Sequence, residues 1–202
     1  MVMTMSNNQP IVPREPIVIR GETSKARQRR LDTGWFEKFC PENKSGIDIG
    51  CQNDAIHESF RKWDYIFGDG DATFMEGVAD ESFFTTHCSH VLEHVLDPVA
   101  AVRNWYRITQ PGGHLIILVP WQMLYECKEE LGSRFNLDHK TYWQPATHGA
   151  KPHIKGLRQT ILEAIPNAEI VSLIALCDGW YPHPKEQHPP GEYSLEAIIR
   201  RR

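Results

Sequence analysis

Residues His114-Leu115-Ile116-Ile117-Leu118-Val119-Pro120 form an apolar run with no polar break after its first residue, directly behind the turn residues Pro111-Gly112-Gly113. A strand with one wet face alternates apolar and polar side chains. An unbroken run is covered on both faces, which is the signature of a parallel strand sandwiched between helices. The flanking sequence supports that architecture. Ser45 to Cys51 reads as a short apolar strand entering a turn, and Ser82 to Cys88 as a second strand rich in Phe and Thr. Asp97-Pro98 opens a helix to about Thr109, with Asp97 as cap and Pro98 in the first turn. Glu22 to Cys40 carries Leu31, Trp35, Phe36 and Phe39 at helical spacing and stops at Pro41. Pro152 to Ile165 reads as a further helix, and Glu169–Cys177 and Tyr193–Arg200 as two further strands, separated by a proline-rich loop at 180–191. Strands alternating with helices predict an α/β domain with a mainly parallel sheet.

A length of 202 residues suits one domain. We expect an N-terminal arm over residues 1–21, with Pro10, Pro13 and Pro16, and a single domain over 22–202 with an insertion at about 121–150 lying over the active face. The net charge of −4 gives no general reason to expect nucleic acid or an anionic membrane as partner. Against that balance stands the basic cluster Lys25, Arg27, Arg29 and Arg30, either a solvated helix face or a clamp for a phosphate-bearing substrate. Five scattered cysteines without a CxxC pair predict reduced thiols in the cytoplasm, and no apolar run has the length of a membrane span.

Four short motifs carry the chemistry. In Gly46-Ile47-Asp48-Ile49-Gly50-Cys51 a strand ends in a glycine turn, which lets a ligand approach the backbone beyond the strand's carboxyl end. Gly70-Asp71-Ala72 follows Trp63-Asp64, and acidic residues there can accept hydrogen bonds from ribose hydroxyls or an adenine amine. Ser89-His90-Val91-Leu92-Glu93-His94 follows the second strand, and Gln110-Pro111-Gly112-Gly113 precedes the apolar one. Each motif alone is weak; their order and spacing are much more specific.

Together these segments resemble the class I S-adenosylmethionine-dependent methyltransferases of the small-molecule type, in style those of surface-glycan biosynthesis. The likeness covers roughly residues 45–120. It implies a Rossmann-like fold with a seven-stranded, mainly parallel sheet whose last strand is antiparallel. It implies S-adenosyl-L-methionine as cofactor, with Asp48, Gly50, Cys51 and Gln52 at its methionine end, Asp64 on the ribose, Asp71 and Ala72 on the adenine, and Ser89 beside it. Gln52 stands where the family usually has glycine, narrowing the approach. Only about 18 residues separate Gly50 from Gly70, so the second strand and its helix should be short or degenerate.

The resemblance implies methyl transfer to a small hydroxylated acceptor, a sugar or nucleotide-linked sugar by analogy. His90 and His139 are the candidate bases, because an imidazole accepts a proton at neutral pH. Asp138 is a candidate to orient His139, while Arg134, Asn136, Asp138 and Trp143 are candidate substrate contacts. Glu93 and His94 are read as holding the loop after the strand, and no metal site is expected, His183 and His188 lacking further ligands. Two rival readings are a cofactor-binding protein without catalysis and a nicotinamide-dependent dehydrogenase; the second lacks a complete GxGxxG.

Overall fold

The computed structural model describes residues 21–184 and 186–202. The expected arm lies almost wholly outside them. The described residues hold eight strands: β1 (Gly46–Ile49), β2 (Arg61–Trp63), β3 (Phe83–Ser89), β4 (Thr109–Pro120), β5 (Tyr142–Gln144), β6 (Ile154–Gly156), β7 (Glu169–Leu176) and β8 (Ser194–Arg200). The helices are α1 (Glu22–Lys25), α2 (Arg27–Asp32), α3 (Trp35–Phe39), α4 (Pro98–Ile108) and α5 (Leu157–Ala164). Six strands form the main sheet in the order β2-β1-β3-β4-β8-β7, and β5 pairs with β6 separately. β1 to β4 are mutually parallel, whereas β8 runs antiparallel to both β4 and β7.

Strand β4 shows why the sheet is sandwiched. Leu115, Ile117 and Val119 pack into one core with Trp105 and Ile108 of α4 and Ile161 of α5. Ile116 and Leu118 point the other way, into a second core with Trp35 and Phe39 of α3. Successive side chains on a strand alternate faces, so an unbroken apolar run requires both layers. Each such side chain stabilises the fold by about 1.5–3 kcal/mol. Helix α4 begins as expected: the Asp97 carboxylate accepts from Ala100 N at 2.9 Å, with Pro98 in the first turn.

Among the described residues the main sheet has six strands, not the seven expected. Between β2 and β3 the chain holds only a 3-10 turn at Tyr65–Phe67 and further turns. The crossover from β1 to β2 contains no helix, as the short spacing required. The N-terminal segment is not one helix but three short ones, because Gly34 turns left-handed at φ +66° between α2 and α3. The predicted turn at Pro111-Gly112-Gly113 lies inside continuous β4, where the pairing with β3 shifts register. A Cβ at Gly113 would sit 2.1 Å from Phe84 O, so this bulge demands glycine. Helix α5 starts only at Leu157, since residues 154–156 pair with β5.

The basic cluster is neither a free face nor a clamp. Lys25 pairs with Glu22 at 3.0 Å, Arg29 with Glu192 at 3.4 Å, and Arg27 lies 5.5 Å from the Phe36 ring. Arg30 is fully buried, 3.2 Å from Glu196 of β8 and stacked over Trp35 at 4.4 Å. Of these contacts, Arg30–Glu196 fastens the N-terminal helices to the sheet and Arg29–Glu192 to the loop before β8.

Candidate functional site

The strand order places β1 between β2 and β3, and the chain leaves β1 toward β2 on one side while β3 lies on the other. Ligands of open parallel sheets bind where the connections diverge, beyond the strands' carboxyl ends. A cleft of about 620 Å³ lies there, the size of a small-molecule site. Gly50 from the end of β1, Asp64 from the end of β2, the Gly70-Asp71-Ala72 turn, Val91 and His94 after β3, and Asn136 and Asp138 line it.

Backbone geometry builds the cofactor end. Gly50 is left-handed at φ +71°, and a Cβ there would meet Val91 Cγ2 at 2.0 Å, so only glycine lets the turn pass under the loop after β3. The Asp64 carboxylate accepts from Gln52 N at 3.2 Å and Ile66 N at 3.1 Å, which ties the β1 turn to the β2 turn. Each carboxylate oxygen keeps a lone pair for a ligand hydroxyl. Asp71 caps its own turn through Thr73 N at 2.7 Å. The indoles of Trp63 and Trp105 donate to the carbonyls of Gly70 and Ala72, so this turn is held from both sides.

Not every residue expected at the cofactor reaches the cleft. Asp48 is fully buried: Oδ1 lies 2.6 Å from His87 Nδ1 and Oδ2 accepts from Ile56 N at 2.6 Å. It shapes the helix-free crossover and has no oxygen turned toward a ligand. Cys51 and Ser89 are buried at the strand ends without lining the cleft. Burial, reinforced by Asp48, pushes the Cys51 thiol up to about 12, so it stays neutral. Gln52 is left-handed at φ +45° but exposed and outside the lining, so its side chain leaves the cleft open. Tyr65 and Asp69 line the cleft and carried no motif signal.

The predicted bases and acceptor contacts come from distant segments. His139 is buried, and its orienting carboxylate is Glu126, 3.1 Å from Nδ1, rather than Asp138. Asp138 instead lies 3.1 Å from His94 Nδ1 and pairs with Lys140 at 2.8 Å. His90 engages both ring nitrogens with hydroxyls, Ser89 Oγ at 2.9 Å and Ser194 Oγ at 3.1 Å. Burial lowers its pKa to about 4, Glu22 opposing, so the ring is neutral at physiological pH. Glu93 has its carbonyl bonded by Lys140 N and Thr141 N, which does hold the loop; burial pushes its carboxyl up to about 8. Trp143 is a core residue, fully buried against the α4–α5 layer, and does not face the cleft. Arg134 stacks on Phe135 at 4.8 Å and is absent from the lining. Sequence reasoning missed an aromatic cluster around His139, set back from the cleft lining: Tyr125 contacts Phe135, His139, His188 and Tyr193 at ring distances of 5.0–5.5 Å.

A glycine turn under a carboxylate-lined cleft at the sheet's switch point fits the backbone and ribose-side contacts of an adenosyl cofactor, and these features define a class I methyltransferase. The chain belongs to the family described as methyltransferase domain, whose model matches residues 21–164. Its fold is shared with a provisionally assigned methyltransferase of Bacillus halodurans C-125, at 12% identity, covering 85% of this chain and 96% of that one with a TM-score of 0.51. It is also shared with an S-adenosylmethionine-dependent methyltransferase of Thermotoga maritima, described as a possible histamine N-methyltransferase, at 16% identity, 87% and 97% coverage and a TM-score of 0.50. A protein of echinomycin biosynthesis, from the conversion of a disulfide bond into a thioacetal group, matches at 18% identity, 84% and 80% coverage and a TM-score of 0.54. No curated protein matches the chain. The protein is thus an S-adenosylmethionine-dependent methyltransferase. Among the described residues, no helix is long and apolar enough to cross a membrane.

Proposed function

We propose that the enzyme methylates a hydroxyl of a small, polar acceptor of the sugar or nucleotide-sugar kind, in the cytoplasm. The observation that carries the acceptor class is the mixed lining of the cleft. Asn136 and Asp138 offer exposed amide and carboxylate groups there, and the aromatic residues Trp63 and Tyr65 line the same cleft. Aromatic faces beside a few convergent polar groups suit a hydroxylated ring. The free cysteines Cys40, Cys51, Cys88, Cys127 and Cys177 suit a reducing compartment.

When bound, S-adenosylmethionine supplies a methyl group made electrophilic by its sulfonium. In this reading Asp64 takes the ribose hydroxyls, the Asp71-Ala72 turn the adenine, and the Gly50 turn the methionine end, with Asp48, Cys51, Gln52 and Ser89 shaping that turn from behind. The protein's remaining tasks are positioning and proton removal. Alignment of acceptor and methyl contributes about 7–11 kcal/mol, and a placed base about 10²–10⁴-fold. Alignment therefore outweighs the base, and loss of the base should slow transfer without abolishing it. His139, held by Glu126, and His90, held between two serines, are the proposed bases, and both are set back from the residues that line the cleft.

The test is calorimetric titration with S-adenosylmethionine followed by a mass-shift assay on sugars, nucleotide-linked sugars and amines. Methylation of a hydroxylated member is expected. Tight cofactor binding with transfer only to amines would refute the acceptor class.

A further inference from the structure

Glu93, His94 and His139 bring one carboxylate and two imidazoles to a single point. Their ligand atoms all lie within 4.8 Å of one another. Nε2 of His94 and Nε2 of His139 are each 3.9 Å from Glu93 Oε1. The carboxylate is fully buried, and neither of its oxygens has a hydrogen-bond partner among the described residues. Burying such a group unpaired costs several kcal/mol, far more if it is charged. The outward nitrogens of both rings are already taken: Glu126 Oε1 is 3.1 Å from His139 Nδ1, and Asp138 Oδ2 is 3.1 Å from His94 Nδ1. Those contacts fix the Nδ1–H tautomer and leave each Nε2 lone pair facing Glu93. Carboxylates that orient histidines in this way are what accompanies imidazoles bound to a metal.

We propose that Glu93, His94 and His139 bind one divalent transition-metal ion at the acceptor end of the cleft, with Glu126 and Asp138 as positioning residues. Two nitrogens and one oxygen favour a first-row ion such as Zn²⁺, Fe²⁺ or Co²⁺ over Mg²⁺ or Ca²⁺, which seek oxygen. Such an ion, with ligands at about 2.0–2.2 Å, holds them roughly 3–3.5 Å apart, so the side chains close by about 1 Å. His94 is partly exposed and borders the cleft, so it has room to move. Three protein ligands leave positions open on the cleft side for an acceptor oxygen. That last role rests on the methyl-transfer reading; there the cation takes the Nε2 lone pair of His139, which then orients the metal rather than accepting the proton. Sequence reasoning found no metal set because its third member lies in a separate segment, far along the chain from Glu93-His94.

The experiment is titration of the metal-stripped full chain with Co²⁺ alone, followed by visible absorption, without cofactor or acceptor. One equivalent is expected to give a four- or five-coordinate spectrum, displaced by Zn²⁺ and unmoved by millimolar Mg²⁺. His139→Ala and, at the more exposed position, His94→Gln should each weaken Co²⁺ by at least about 100-fold; Glu126→Gln should weaken it about 10-fold. Circular dichroism and a cooperative thermal unfolding transition verify that each variant is folded. No spectrum at one equivalent, or a spectrum unchanged in a folded His94→Gln protein, would overturn the site. Normal cofactor binding and transfer without Co²⁺ uptake would sink the cation and leave the transferase reading intact. Co²⁺ uptake with no transfer to any hydroxyl would do the reverse.

Discussion

At the cofactor end of the cleft, Asp48, Asp64 and Asp71 give oxygens to the backbone amides of Ile56, Gln52, Ile66 and Thr73. At the acceptor end, Glu126 and Asp138 give theirs to His139 and His94. The first use shapes turns: a carboxylate accepting from amides holds loops in one conformation, and the ligand meets mostly backbone. The second use prepares side chains: a carboxylate behind an imidazole sets its tautomer and its direction. In the proposed reading, one end receives a fixed molecule and the other performs chemistry. The difference also explains why one motif residue changes meaning. Asp48 belongs to the cofactor motif, yet it holds the crossover from beneath.

Substitutions at the two ends should separate these uses. The largest effect is expected for Gly50→Val. Its Cβ collides with Val91, and φ +71° strains any side chain. S-adenosylmethionine affinity should fall by about 1,000-fold or more in calorimetry; near-normal affinity would remove the β1 turn from the cleft. Asp48→Ala comes next. It strands buried His87 and Ile56 N, so the fold should lose about 3 kcal/mol in chemical denaturation. Undiminished stability combined with lost cofactor affinity would return Asp48 to the ligand. Glu126→Gln probes the other end: turnover should fall about 10-fold while cofactor affinity changes less than about twofold. If both fall together, the two ends are not independent. The smallest effect is Gln52→Gly. Relief of a left-handed side chain, offset by chain entropy, should raise stability by at most about 1 kcal/mol. A clear gain in cofactor affinity instead would mean that the glutamine side chain does reach the cleft.

The sheet and the Gly50 turn were legible because their signals are local. The apolar run of β4 demands two covering layers, the Asp97-Pro98 pair starts α4, and Gly50 marks the turn, each within a few residues. The missing seventh strand was less visible: the short spacing after Gly50 warned of a degenerate unit without saying which element would go. The broken N-terminal helix turned on one left-handed residue, Gly34. Trp143 illustrates the opposite failure. An aromatic in a polar run reads as a ligand contact, but burial depends on what packs above it, and here that is the α4–α5 core.

The sequence by itself determined the α/β class and the parallel strands with their glycine turn, because hydrophobic periodicity and backbone conformation are set by neighbours in the chain; the cofactor followed from the family resemblance that those motifs carry. Only the tertiary structure decided that Glu126 rather than Asp138 stands behind His139, that Arg30 locks onto Glu196, and that Glu93, His94 and His139 converge. Those pairings join side chains from separate elements, and the fold alone brings them within a few ångströms.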